Sequence, residues 1–136
     1  MMADNRLVPI LLACAVINAC SAVKFTRSGI HRDLDEQLTI VRLTEAPQKH
    51  LDKEIVISVR YYRKGDLPCP LGPDYVNFVI ADRVSYIMLN KAWIPKDKAA
   101  VLDGFKEMDT VVMKAKVFKI DEGKDPNLLA MEIVPE

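Results

Sequence analysis

Alternation of apolar and polar positions dominates the second half of the chain. Ile55, Ile57, Val59 and Tyr61 alternate with Val56, Ser58, Arg60 and Tyr62. A period of two in β-branched and aromatic residues predicts a strand. Residues 75–80 and 84–89 carry similar runs and predict the second and third strands, with residues 81–83 as a tight turn between them. Residues 110–120 predict the fourth, with Val111, Met113, Ala115 and Val117 inward and Lys114 and Lys116 outward. Residues 128–134 predict the fifth, with Leu129, Met131 and Ile133 on one face. The stretch DLPCPLGP, residues 66–73, is a stiff loop, because prolines and a glycine cannot hold a ladder. Residues 121–127, DEGKDPN, form a hairpin turn. Between the third and fourth strands, Pro95 and KDKAAVLDGF predict one or two helical turns that stop at Gly104. Ahead of the first strand, residues 44–53 predict a short helix. Thr44 caps it, Pro47 sits in its first turn, and Leu43, Ala46, His50 and Leu51 face inward. The core expected from these periods is Ile57, Val59, Phe78, Ile80, Ile87, Leu89, Val111, Met113, Val117, Met131 and Ile133.

This order of elements resembles the OB-fold, a mainly β, five-stranded Greek-key barrel with a helical connection between strands three and four. Residues 46–62, APQKHLDKEIVISVRYY, are similar to the opening of small bacterial OB domains, where a proline-containing helix leads through a lysine into an alternating strand. Asp109-Thr110-Val111-Val112 and the alternation after it resemble the fourth strand of such domains. The resemblance covers residues 38–134. An open sandwich or a twisted meander would alternate in the same way, so closure of the barrel is what separates the readings.

The first third has a different character. Residues 7–17, LVPILLACAVI, carry no charge and follow Arg6. The run is too short for a bilayer span of about 20 residues, and it fits the apolar core of a signal peptide. Ile17-Asn18-Ala19-Cys20 resembles the bacterial lipobox, with an aliphatic residue three before the cysteine and a small one just before it. Asn18 departs from that pattern. The resemblance implies cleavage before Cys20 and its acylation with diacylglycerol and palmitate, giving a membrane anchor of more than one chain, which holds stably. It implies residues 1–20 as signal peptide and lipobox, 21–37 as a flexible tether and 38–136 as the OB-fold-like domain. The product would stand on a membrane of the bacterial cell envelope, facing the periplasm or exterior. Cleavage after Ala22 would instead give a soluble secreted protein, Leu11 to Cys14 is a second lipobox-like match, and a buried core helix would make the protein cytosolic.

Charge narrows the function. Lys plus Arg and Asp plus Glu each number 19 among 136 residues, so the formal net charge is zero. A neutral molecule has no overall attraction to nucleic acid. Of Cys14, Cys20 and Cys69, the folded part holds only Cys69, between Pro68 and Pro70, which excludes a disulfide framework. His31 and His50 lack the spacings of a metal site, and no cofactor motif is present. No nucleophile, base and orienting group can be assembled, so no enzyme is expected.

The candidate binding residues are Arg60, Tyr62, Arg63 and Lys64, with Tyr86 and Trp93. Aromatics interleaved with cations can stack bases and track phosphates, though a strand end with solvated cations reads the same. Trp93 would cover a barrel end or line a groove with Tyr86. Lys114, Lys116 and Lys119 would form a solvated face guarding a sheet edge. An OB ligand lies across strands two and three, here between residues 68–73 and the acidic turn 121–127, whose carboxylates would repel phosphate. The expected function is therefore a lipid-anchored envelope binding module without catalysis, with a protein or peptide partner. The alternative is a cytosolic OB-fold protein binding single-stranded nucleic acid.

Overall fold

The computed structural model describes residues 29–122 and 124–136. The proposed leader, the lipobox with Cys20 and residues 21–28 of the tether lie outside the described residues. Gly29–His31 forms one 3-10 turn, and Asp33–Glu136 is a separate compact unit. Everything below concerns that unit.

Five strands close a barrel: β1 (Glu54–Lys64), β2 (Tyr75–Ala81), β3 (Met88–Pro95), β4 (Asp109–Ile120) and β5 (Pro126–Pro135). Around the ring the order is β1-β2-β3-β5-β4, with β4 returning to β1. All neighbours are antiparallel except β3 and β5, which run parallel. A 3-10 helix (Lys96–Gly104) links β3 to β4. This is the five-stranded OB-like barrel expected from the alternation. Because the ring is closed, β4 has partners on both sides, so Lys114, Lys116 and Lys119 do not guard a free edge.

The core follows the period-two positions. Ile57, Val59, Phe78, Ile80, Val111, Met113 and Val117 are fully buried, and Leu89 and Ile133 nearly so. Two expected core residues are not there. Met131 is half-buried, because the β4–β5 register steps from Lys114–Glu132 to Ala115–Ala130, leaving Met131 as the extra residue of a bulge. The bulge shifts the phase of the strand, so Leu128 and Ala130 fill the interior in place of Leu129 and Met131. Ile87 is exposed because it lies in a loop: the third strand starts at Met88, where residues 84–89 were expected, and runs to Pro95.

The leading helix also begins earlier than its expected Thr44 cap. Helix α1 (Ile40–Glu45) is capped by Thr39, whose hydroxyl accepts from the Arg42 N–H at 3.1 Å. Ala46 breaks it, and Pro47–His50 continues as a 3-10 turn with proline at its start. Leu38, Ile40 and Leu43 pack into the core, whereas Leu51 is exposed and pairs through its backbone with Val117. Asp35 N–H donates to the Val56 carbonyl at 2.9 Å, so contact with β1 starts within the segment expected to be tether. Among the described residues no helix is long and apolar enough to cross a membrane.

Candidate functional site

The outer face of β2 and β3 starts from a polar residue in an apolar strand. Asn77 stands between Val76 and Phe78 and pairs with Trp93 across the ladder. Phe78, Ala92 and Ile94 point into the core, so Asn77 and Trp93 point outward. Both are nevertheless buried, at 4% and 2% exposure. The reason is the β1–β2 connection, which folds back over them. The Trp93 indole N–H donates to the Leu67 carbonyl at 3.0 Å, and the Leu67 N–H donates to Asn77 Oδ1 at 3.2 Å. Asn77 Nδ2 in turn donates to the Asn90 and Ala92 carbonyls, each at 2.9 Å. Phe118, the extra residue of a second β4–β5 bulge, meets the Trp93 ring edge-on at 6.0 Å. A buried amide with all these partners is fully satisfied and fixes the loop to the sheet.

Gly65 permits that approach. A β-carbon there would lie 2.0 Å from Asn77 Oδ1, an atom whose amide is held on two carbonyls and cannot move aside. Gly65→Ala is therefore expected to cost about 2 kcal/mol in urea unfolding and to shift Trp93 emission to the red as Leu67 lifts away. An unchanged midpoint and spectrum would mean that the loop does not seal the face.

Beside the seal lies a hollow of about 390 Å³, lined by Arg63, Lys64, Gly65, Asp66, Leu67, Asn77, Val79 and Asn90. The sequence-derived candidates distribute around it unequally. Arg60 is taken up internally: Nε donates to the Asp82 carbonyl at 2.9 Å and Nη2 to the Ser85 carbonyl at 2.6 Å. Tyr62 is the extra residue where β1 slips against β2, and the Arg63 guanidinium lies over its ring at 5.6 Å. Lys64 pairs with Asp103 at 2.8 Å, and the hydrogen bond it donates to that carboxylate holds the ammonium pKa above its ordinary value. Tyr61 turns inward between Phe78 and Phe105, where burial pushes its phenol upward. Trp93 belongs to the sealed face. Tyr86 does not join it and projects, 88% exposed, from the β2–β3 loop.

The other border of the face is less acidic than its composition. Lys91 reaches Asp121 at 2.6 Å and Asp125 at 3.3 Å, and Lys119 reaches Asp121 at 3.7 Å. The hydrogen bond from Lys91 holds Asp121 below the usual carboxylate range. The expected repulsion of phosphate by this turn is thus largely cancelled by Lys91 from β3 together with Lys119 from β4, which no local reading of residues 121–127 could include.

Two further residues were not singled out in the sequence. Asn77 left a visible signal, being polar inside an apolar run. Asp82 left less: it looked like a turn residue, but its buried carboxylate accepts from the Val84 and Ser85 N–H groups, the Ser85 hydroxyl and the Val41 N–H of α1. Cys69 is half-buried and unpaired, with Sγ accepting from the Leu71 N–H at 3.4 Å in a turn that Gly72 completes at φ +128°. Among the described residues no group of three or more His, Cys, Asp or Glu could hold a metal ion.

No family model and no curated protein matches the chain. Among solved structures it is similar to a protein described as an aspartyl-tRNA synthetase from Leishmania major Friedlin, with a TM-score of 0.50 and 17% identity over 70% of this chain. The chain spans only 19% of that protein's length. It is also similar to an OBody bound to hen egg-white lysozyme, with a TM-score of 0.46 and 15% identity over 64% of this chain and 84% of the other. At this identity the likeness to the synthetase is one of fold and leaves the ligand open.

Proposed function

We propose that this protein is an OB-fold binding module of the bacterial cell envelope, held to a membrane through acylated Cys20, with a protein or peptide partner and no catalysis of its own. The observation that favours such a partner over nucleic acid is how the face spends its aromatic and cationic groups. Stacking of bases needs exposed rings, and tracking of phosphates needs free cations. Trp93 lies under Leu67, and Tyr61 is inside the barrel. Arg60 is bonded to loop carbonyls, Lys64 to Asp103, and Lys91 to two aspartates. Arg63 over Tyr62 is the remaining cation–aromatic pair on the strand end. The hollow beside it is lined by Asp66 and Asn90 as well as by Arg63 and Lys64, a mixed polar set suited to peptide amides. The apolar, uncharged run before Ile17-Asn18-Ala19-Cys20 supports the envelope location.

Two measurements test this. Cell fractionation with intact mass should give a membrane-bound species that begins at an acylated Cys20; a full-length cytosolic species would overturn the location. Titration with single-stranded oligonucleotides should give no binding that depends on salt. Micromolar affinity that weakens steeply as salt rises and is lost in Arg63→Ala would establish the nucleic-acid reading instead.

A further inference from the structure

The β2–β3 connection departs from what a loop ordinarily presents to water. Val84 and Tyr86 are 83% and 88% exposed, and Ile87 and Met88 beside them 47% and 45%. Four large apolar side chains thus share one projecting turn. The turn is also built stiffly. The Asp82 carboxylate gathers the N–H groups of Val84 and Ser85, and the Asp82 N–H donates to the Ile87 carbonyl at 2.7 Å. Arg60 clamps the opposite side through the Asp82 and Ser85 carbonyls. Every charge of the turn except Arg83 is consumed in holding its shape, and Arg83 is exposed.

We propose that this turn is a lipid-insertion tip, with Val84, Tyr86, Ile87 and Met88 entering the interfacial zone of a bilayer and Arg83 meeting lipid phosphate. Size and charge select this occupant. Four such side chains offer roughly 300–400 Å², well short of the about 800 Å² per partner that a stable protein interface uses. A membrane interface has no such minimum, and binding there grows with apolar area and with cation–headgroup attraction. Tyrosine suits the headgroup level, where its ring is apolar and its hydroxyl wet. A turn that is already rigid loses little entropy on entering.

The inference does not depend on acylation at Cys20, and its test isolates the tip. Tyr86→Trp is introduced into the full chain, once as it stands and once with Cys20→Ser and without the apolar run of residues 7–17. Vesicles of phosphatidylcholine and phosphatidylglycerol in equal parts are then added. The new indole should shift to the blue and be quenched by lipids brominated high on their acyl chains in both chains, while an indole at Val101→Trp is not. Tyr86→Ser combined with Ile87→Ser should weaken vesicle partitioning of the Cys20→Ser chain about tenfold. An indole that stays in water while the chain binds vesicles, or a Cys20→Ser chain that does not bind at all, would overturn the proposal. An indole already shielded without lipid, increasingly so with protein concentration, would do so too and assign the tip to a second copy.

Discussion

Val117→Asp should give a chain with no cooperative unfolding transition. Val117 is fully buried, pairs with Leu128 across β4–β5, and its backbone bonds to the segment leading into β1: the Asp52 N–H donates to its carbonyl at 2.7 Å and its own N–H donates to the Lys53 carbonyl at 3.1 Å. Three segments of the ring meet at this residue. A carboxylate there would have no cation within the core cluster, which is entirely apolar apart from the Tyr61 hydroxyl. Leaving such a group unpaired costs several kcal/mol, comparable to the whole stability of a small domain, about 5–15 kcal/mol. Val117→Ala should remain folded and lose about 2 kcal/mol in denaturant titration. A Val117→Asp protein that melts like the parent would mean that the residue does not face the core.

Asp82→Ala should cost about 3 kcal/mol and loosen two elements together. Its carboxylate is the acceptor for three backbone N–H groups, one of them from α1 and two from the β2–β3 turn. Burial acts to raise the pKa of Asp82, but the bonds from Val84, Ser85 and Val41 outweigh it, and the net pKa lies below the ordinary carboxylate value. A carboxylate with a depressed folded pKa contributes stability that is present above its unfolded pKa, about 3.9, and is lost as pH falls through the folded value. The parent should therefore lose stability below about pH 4 more steeply than Asp82→Asn, which has no charge there to lose. Urea midpoints measured across that range check it, and parallel curves for the two proteins would refute the role.

The alternation that located four of the strands was legible because a closed barrel with one buried face writes its inside on every second residue. It failed where a bulge or a loop bond changed the phase. Met131 reads as an inward residue from Ile133, and only the slip against Lys114 and Ala115 shows that it is not. The run from Val84 to Leu89 looks like a strand in composition, yet Asp82 and Arg60 hold its first part as a turn through bonds to α1 and β1, distant in sequence. The same holds for the site. Arg60 looked available because its partners, the Asp82 and Ser85 carbonyls, are backbone groups that no side-chain pattern discloses. Trp93 could be placed near a groove, but its burial depends on Gly65 and Leu67 crossing over it.

The ring is joined unevenly. β1 and β4 stay in register from Glu54–Lys116 to Tyr61–Asp109, whereas β3 and β5 meet only at Ala92–Leu128 and Trp93–Leu129. The parallel join is therefore the line along which the cylinder can part at least cost, with the other ladders left whole. Partial opening there would uncover the inner surfaces of Ala92 and Leu128 and part the Trp93 ring from Phe118 of β4, while Leu67 stays with it. The single tryptophan of the chain consequently sits on the fault line, and its emission would register the first parting of the barrel before general unfolding begins.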